Sequence, residues 1–124
     1  MTLLLDTHVV LWWRLDSRRL RRPAREHIAT ADVVWVSAAS GWEVAIKQGL
    51  GKLSLADSFR WMVEDSDFIE LPVTLRHAEQ GAELPPHHAD PFDRMLLAQA
   101  SIEGATIVTH DPQFERYDVP VVLV

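Results

Sequence analysis

Five short apolar runs alternate with longer stretches of helical periodicity, and this alternation constrains the fold more than any other feature of the sequence. The runs are residues 3–5, 33–36, 68–71, 106–108 and 121–123. Strands that alternate with helices in this way form βαβ units and pair in parallel. Because 124 residues are also the usual length of one domain, the sequence predicts a single α/β domain over residues 1–124 with a mainly parallel sheet.

Six helices are predicted between these runs. They cover residues 8–15, 23–31, 38–49, 55–65, 74–81 and 91–103. Pro23 and Pro91 are each expected in the first turn of a helix, where proline loses no hydrogen bond. Gly104 is expected to end the last helix, and residues 84–89, with two prolines and two histidines, are predicted to form a loop.

Composition excludes several classes of protein. Without cysteine the chain has neither disulfide bonds nor a thiolate metal site. Residues 3–15 form its longest apolar stretch, which Asp6, His8 and Arg14 interrupt, whereas a membrane-spanning helix needs about 20 apolar residues. We expect no membrane segment, no signal peptide and a cytoplasmic location. The net charge of −6 disfavours a passive nucleic-acid binder, although six of the ten arginines lie within residues 14–25.

Four acidic residues lie where the predicted fold would bring them together. Asp6 ends the first apolar run and Asp111 follows the fourth, so both are predicted at the carboxyl ends of parallel strands, where open α/β folds bind ligands. Glu43 lies in the helix after the second strand, and Asp93 lies in the first turn of the helix before the fourth. The beginnings of these two helices meet the same edge of the sheet, so we expect all four carboxylates in one cleft.

The helical positions of Glu43 and Asp93 point to a metal site. Each shares an apolar stripe of its helix, Glu43 with Ala39 and Ile46, and Asp93 with Leu96. A carboxylate on such a stripe is costly unless it is paired or binds a cation. Clustered carboxylates without cysteine suit hard cations such as Mg²⁺ or Mn²⁺, which bind a phosphodiester, activate water and stabilise a leaving oxygen.

Each acid also has a purely structural interpretation. Ser40 and Glu43 have the spacing of a capping box, and Asp90 and Asp93 have the positions of residues that cap a helix and charge its first turn. Asp6 and Asp111 are also typical turn residues. Their conjunction favours a functional site, because four independent structural explanations would otherwise be needed.

Three blocks of the sequence resemble VapC-type toxins of the PIN-domain superfamily. The blocks are Leu4-Leu5-Asp6-Thr7-His8, Ser37-Ala38-Ala39-Ser40-x-Trp42-Glu43, and His88-x-Asp90-Pro91-Phe92-Asp93-Arg94-Met95-Leu96. Thr109-x-Asp111, followed by Phe114 and Tyr117, extends the similarity over essentially the whole chain. The third block is the most specific.

The resemblance implies an α/β/α sandwich of three layers and a Mg²⁺-dependent endoribonuclease that acts as the toxin of a type II toxin–antitoxin pair. It further implies an antitoxin partner encoded beside the chain, an RNA substrate and a homodimer. It assigns the catalytic and metal-binding role to four acids and an accessory role to a fifth. The four are Asp6, Glu43, Asp93 and Asp111, and the fifth is Asp90.

Several other residues are weaker candidates. Thr7 and Thr109 are placed to orient carboxylates or water, although threonine at a strand end is usually structural. Arg94, beside Asp93, is placed equally well to contact a substrate phosphate or to pair with an acid. The arginines of residues 14–25 have positions suited to RNA phosphate, to an acidic antitoxin segment, or simply to a solvated face. The histidines lack the paired helical spacing of a zinc motif, so zinc is disfavoured.

Two other classes of protein have a similar pattern. A phosphoacceptor receiver domain would need adjacent acids at the first strand and a late lysine, but Asp6 stands alone there and no lysine follows Lys52. A non-catalytic PIN-like module that binds RNA or protein is the remaining alternative. Metal-dependent cleavage of RNA distinguishes it from a nuclease, and water is the expected nucleophile since the sequence has no serine–histidine pair or cysteine nucleophile.

Overall fold

A five-stranded sheet forms the centre of the molecule in the computed structural model, which describes all of residues 1–124. The strands are β1 (Thr2–Leu5), β2 (Val33–Ser37), β3 (Ile69–Leu71), β4 (Thr106–Thr109) and β5 (Val121–Leu123). They lie in the order β3-β2-β1-β4-β5, and every neighbouring pair is parallel. The predicted strands and the predicted parallel pairing are therefore confirmed.

Both faces of the sheet are buried, because successive side chains of a strand point to opposite faces. In β1, Leu3 and Leu5 lie in one core cluster and Leu4 lies in the other. The first cluster includes Val10, Ile28 and Met62 from helices that precede β3. The second includes Leu97 and Ala100 from the helix before β4. Helices therefore cover the sheet on both faces, as expected for an α/β/α sandwich.

Six α-helices surround the sheet. They are α1 (Thr7–Arg14), α2 (Arg22–Thr30), α3 (Ala38–Gly49), α4 (Phe59–Asp65), α5 (Leu75–Glu83) and α6 (Pro91–Glu103). Pro23 and Pro91 lie in first turns as predicted, and Gly104 ends α6 with a φ of 71°, the left-handed conformation that glycine adopts readily. No helix combines the length and the apolar character required to cross a membrane.

Two local features differ from what the sequence predicted. The fourth helix begins at Phe59 rather than at residue 55, because the Ser58 hydroxyl accepts a hydrogen bond from the backbone N–H of Trp61 (3.1 Å) and caps the helix there. A short 3₁₀ helix, Pro112–Arg116, follows β4 and was not predicted. This 3₁₀ helix matters for the site because Asp111 is its N-cap residue.

Candidate active site

The predicted acids meet at the carboxyl edge of the sheet. The chain builds β1, β2 and β3 towards one side and then crosses over to add β4 and β5 on the other, so the order reverses between β1 and β4. Open α/β sheets bind ligands in the crevice at such a reversal. Here an open cleft of about 500 Å³ lies at that point. The acids that line it are Asp6, Glu43, Asp90, Asp93 and Asp111.

Asp6 lies at the bottom of this cleft, directly after the central strand. Only 8% of the residue is exposed, and its Oδ2 accepts a hydrogen bond from the hydroxyl of Thr109 (2.7 Å). The same hydroxyl oxygen accepts a bond from the backbone N–H of Asp111 (3.1 Å). Burial raises the pKa of Asp6 above its usual value, although the Thr109 hydrogen bond opposes this shift. Thr109 therefore holds the Asp6 carboxylate in place.

Glu43 reaches the cleft from the second turn of α3. Its Oε1 accepts a hydrogen bond from the Thr7 hydroxyl (2.8 Å), and its Oε2 forms an ion pair with Lys47 Nζ (2.9 Å). The capping-box interpretation of Ser40 and Glu43 was wrong. The N-cap residue is Ser37, whose hydroxyl accepts from Ala39, so Ser40 and Glu43 both lie inside the helix.

Asp90 and Asp93 have different roles at the start of α6. Oδ1 of Asp90 accepts hydrogen bonds from the backbone N–H groups of Phe92 (2.8 Å) and Asp93 (3.2 Å), so Asp90 caps the helix. The Asp93 carboxylate caps nothing and instead faces the cleft. Its burial, together with the nearby negative charges of Asp6 and Asp90, raises the pKa of Asp93 to about 7. A cation in the cleft would favour the charged form of this carboxyl.

His88 joins the acids, although sequence reasoning did not place it in the site. Its Nε2 lies 3.0 Å from Oδ2 of Asp93 and 2.9 Å from Oδ2 of Asp111. Its Nδ1 accepts the backbone N–H of Asp90 (3.3 Å), which leaves Nε2 as the donor to the carboxylates in the neutral ring. One potential ligand atom from each of His88, Asp93 and Asp111 lies within 4.8 Å of the others. The sequence feature that could have indicated this place in the site is the position of His88 as the first residue of the third block, which ends at Leu96.

Asp111 combines a structural role with a place in the cleft. Its Oδ1 accepts the backbone N–H of Gln113 (2.9 Å) and caps the 3₁₀ helix, while Oδ2 contacts His88. The turn interpretation of Asp111 is therefore confirmed. It does not compete with a functional role, since the two oxygens of one carboxylate take separate partners.

Arg94 lies beside the acids in sequence but bonds to backbone. Its guanidinium donates to four carbonyl oxygens at distances between 2.7 and 3.2 Å and forms no ion pair. The carbonyls belong to Gly81, Leu84, Pro85 and His88. Arg94 thus fixes the loop between α5 and α6, and through this loop it helps to fix His88.

The donor set fits a divalent cation. The cleft offers carboxylate oxygens from five acids on several elements, and Lys47 and Arg19 are the only lysine and arginine among its lining residues. Hard divalent cations prefer such oxygen ligands, and they remove the repulsion between crowded carboxylates. Fold and site together define an α/β protein with an acidic cleft at the carboxyl edge of a parallel sheet, whose oxygen ligands suit a divalent cation.

Comparisons with known proteins identify the family. The family model of the PIN domain matches residues 3–120, and the chain belongs to this family. It is 30% identical over 122 residues to Ribonuclease VapC22 of Mycobacterium tuberculosis, which covers 96% of this chain and 94% of that protein. The family expected from the three sequence blocks is thereby confirmed.

Solved structures show the same fold. One is VapBC2 of Rickettsia felis bound to a DNA fragment from its promoter, with a TM-score of 0.74 and 16% identity, covering 99% of this chain and 98% of that one. Another is DNA-bound VapBC of Salmonella typhimurium, with a TM-score of 0.70 and 19% identity, covering 98% and 97%. At these identities the likeness confirms the three-layer α/β/α fold.

Proposed function

We propose that this chain is a Mg²⁺-dependent endoribonuclease and the toxin of a type II toxin–antitoxin pair. The observation that carries the proposal is the meeting of Asp6, Glu43, Asp93 and Asp111 in one cleft, at the sheet edge where ligands bind. The name of the Mycobacterium tuberculosis relative supports ribonuclease activity. The experiment is RNA cleavage by the purified chain with Mg²⁺, with Mn²⁺ and with a chelator. A chain that binds RNA without cleaving it would instead be a non-catalytic module.

The four carboxylates would hold the cation, which when bound polarises the phosphodiester, activates a water and stabilises the leaving oxygen. Thr109 orients the Asp6 carboxylate and Thr7 orients that of Glu43. Asp90 acts as an accessory residue, because it fixes the start of α6 and adds negative charge beside Asp93. Such supporting contacts commonly change activity 10–100-fold when they are removed.

An antitoxin is the proposed protein partner. The similar structures from Rickettsia felis and Salmonella typhimurium are VapBC proteins bound to DNA. We expect the chain to slow growth when it is expressed alone in the cytoplasm. The protein encoded by the neighbouring reading frame should relieve this effect and co-purify with the chain. The matched control is Asp6→Asn, which should be harmless alone yet still co-purify. Harmless expression of the wild type, with no stable complex, would contradict the toxin assignment.

A homodimer is the second proposed assembly, and an exposed apolar surface supports it. Trp42 on α3 is 66% exposed and packs edge-to-face on Phe92 of α6, with ring centroids 5.6 Å apart. Together with Val73, Pro91 and Met95 these rings line an apolar groove of about 430 Å³. Exposed apolar surface of this kind typically marks an interaction site.

Trp42→Glu is expected to convert the dimer into a monomer, because a charge would then have to be buried in the contact. Light scattering after size exclusion, at matched concentrations, measures this. Trp61→Glu is the matched control, since Trp61 is 43% exposed on α4 and lies outside this groove. Equal masses for all three proteins would exclude this groove as the interface.

A further inference from the structure

The six arginines of residues 14–25 fall into two groups by their contacts. Arg14 pairs with Asp65 (2.6 Å) and Arg22 with Glu26 (3.2 Å), while Arg25 bonds mainly to backbone carbonyls. The other three arginines are exposed and form no ion pair. They are Arg18, Arg19 and Arg21. Three uncompensated cations therefore lie close together on a chain whose net charge is −6.

These three arginines lie in the connection between α1 and α2, residues 15–21, which hydrogen bonds hold in place. The guanidinium of Arg25 donates to the carbonyl oxygens of Trp12 (3.1 Å), Ser17 (3.1 Å) and Leu20 (3.0 Å). These bonds fix the connection between α1 and α2 although it has no regular secondary structure. A surface ordered before it binds loses less entropy on binding.

The arginines line an open groove that runs into the acidic cleft. The groove has a volume of about 630 Å³, and Arg18, Arg19 and Arg21 are among the residues that line it. Arg19 and His110 line both this groove and the acidic cleft. A ligand in the groove can therefore continue directly to the acids.

Aromatic rings lie where the groove meets the cleft. Trp12 lines the cleft and packs edge-to-face against His110 with ring centroids 5.4 Å apart, and the centroid of the tilted His8 ring lies 6.0 Å from that of Trp12. The guanidinium of Arg19 lies 5.8 Å from the centre of the Trp12 ring. His110 is held by a 2.6 Å hydrogen bond from its Nδ1 to the main-chain oxygen of Val124. The rings thus form a fixed platform at the mouth of the acidic cleft.

We propose that this groove binds a single RNA strand beside the bond to be cut, with phosphates on Arg18, Arg19 and Arg21 and one base stacked on Trp12. The proposal rests on the proposed nuclease function. A cationic track combined with an aromatic platform is the usual means of binding single-stranded nucleic acid. An acidic peptide would satisfy the arginines but would make no use of the rings. Bases of a duplex are already stacked, so the platform selects single strands.

Charge removal tests the cationic track. The variant carrying Arg18→Gln, Arg19→Gln and Arg21→Gln should reduce kcat/KM for a short single-stranded RNA of mixed sequence roughly 10- to 100-fold, mainly through KM. The salt dependence of log(kcat/KM) should flatten by about 2, since each lost phosphate contact on a single strand removes ~0.7. The matched control carries Arg22→Gln, Arg76→Gln and Arg116→Gln, which remove the same charge from exposed positions outside the groove. It should behave as the wild type.

Trp12 variants test the platform. Trp12→Phe keeps an aromatic face and should retain most activity, whereas Trp12→Leu keeps apolar volume and should lose roughly 5- to 100-fold in kcat/KM. Thermal melts verify that both variants fold. The wild type should also cleave a single strand in preference to the same sequence in a duplex, and equal cleavage of both would overturn the role of the platform.

The outcomes separate this inference from the proposed function. If neither the wild type nor the control cleaves RNA, the nuclease assignment itself fails. If the wild type cleaves and the groove variant matches it in kcat/KM and salt dependence, the groove inference alone is overturned. It is likewise overturned if the groove variant cleaves normally but no longer binds the antitoxin, because the arginines would then serve the protein partner.

Discussion

Replacing Asp6 by asparagine is expected to reduce divalent-cation-dependent RNA cleavage by roughly a hundredfold or more. Asparagine has nearly the same shape, and its amide oxygen can still accept the hydrogen bond from Thr109 that holds the aspartate. It has no charge, however, so the proposed site would lose a carboxylate ligand at a buried position directly after the central strand. Loss of a contact that merely supports a ligand already costs 10–100-fold, and loss of a ligand should cost more.

The measurement is cleavage of a mixed RNA pool by the purified wild type and the variant, with Mg²⁺ and with a chelator. Asp57→Asn, which removes a charge from an exposed position outside the cleft, is the matched control and should cleave as the wild type does. Thermal melts establish that the variant remains folded. Equal activity of wild type and variant, unaffected by the chelator, would overturn the metal mechanism.

Asp93→Asn is expected to stabilise the metal-free protein, with an effect that depends on pH. The pKa of Asp93 is raised from 3.8 to about 7 in the folded chain, chiefly by burial and then by the neighbouring acids. The folded state therefore binds this proton more tightly than the unfolded state. The resulting stabilisation is complete below about pH 4 and is lost as the pH rises through about 7.

At pH 8 the wild type must hold the charged carboxylate beside Asp6 and Asp90, whereas asparagine avoids this repulsion. We expect the variant to gain on the order of 1 kcal/mol or more in free energy of unfolding, a shift in Tm of about 3–6 °C per kcal/mol. The gain should shrink steadily towards pH 5. Mg²⁺ should stabilise the wild type by about 2.7 kcal/mol at a hundredfold excess over its Kd, and the variant by less.

Thermal melts at pH 5 and pH 8, with chelator and with Mg²⁺, measure both effects. If the charge of Asp93 served only the first turn of α6, its removal would instead destabilise the chain by a few tenths to about 1 kcal/mol. The sign of the shift at pH 8 therefore decides between the two roles. A wild type indifferent to Mg²⁺ and more stable than the variant would argue against a cation site.

The sequence predicted the sheet and the meeting of the acids because both depend on short-range patterns. The leucines of β1 form a short apolar run that ends at Asp6, and the run that forms β4 ends just before Asp111. The carboxyl ends of parallel strands lie at the same edge of a sheet, so these two acids necessarily lie close together. Glu43 lies near the start of the helix that follows β2, so its position in the sequence also predicted a place at this edge of the sheet.

The remaining parts of the site depend on contacts that no local pattern encodes. His88 lies in a loop without periodicity, and its position follows from bonds of that loop to Arg94 and from the hydroxyl of Tyr117, which accepts the His88 backbone N–H (2.7 Å). Lys47 follows Glu43 by four residues on α3, a spacing that indicates an ion pair but not its place in a cleft. Such long-range contacts emerge only from the three-dimensional structure.

The hydrogen bond between Thr109 and Asp6 joins residues 103 positions apart in the chain. Chains emerge from the ribosome with the N-terminal end first, so Asp6 is synthesised long before its partner Thr109. A growing polypeptide that has not reached β4 lacks Thr109, Asp111 and the strand that orders Asp6. The acidic cleft can therefore be assembled only after β4 has been synthesised, more than a hundred residues after Asp6.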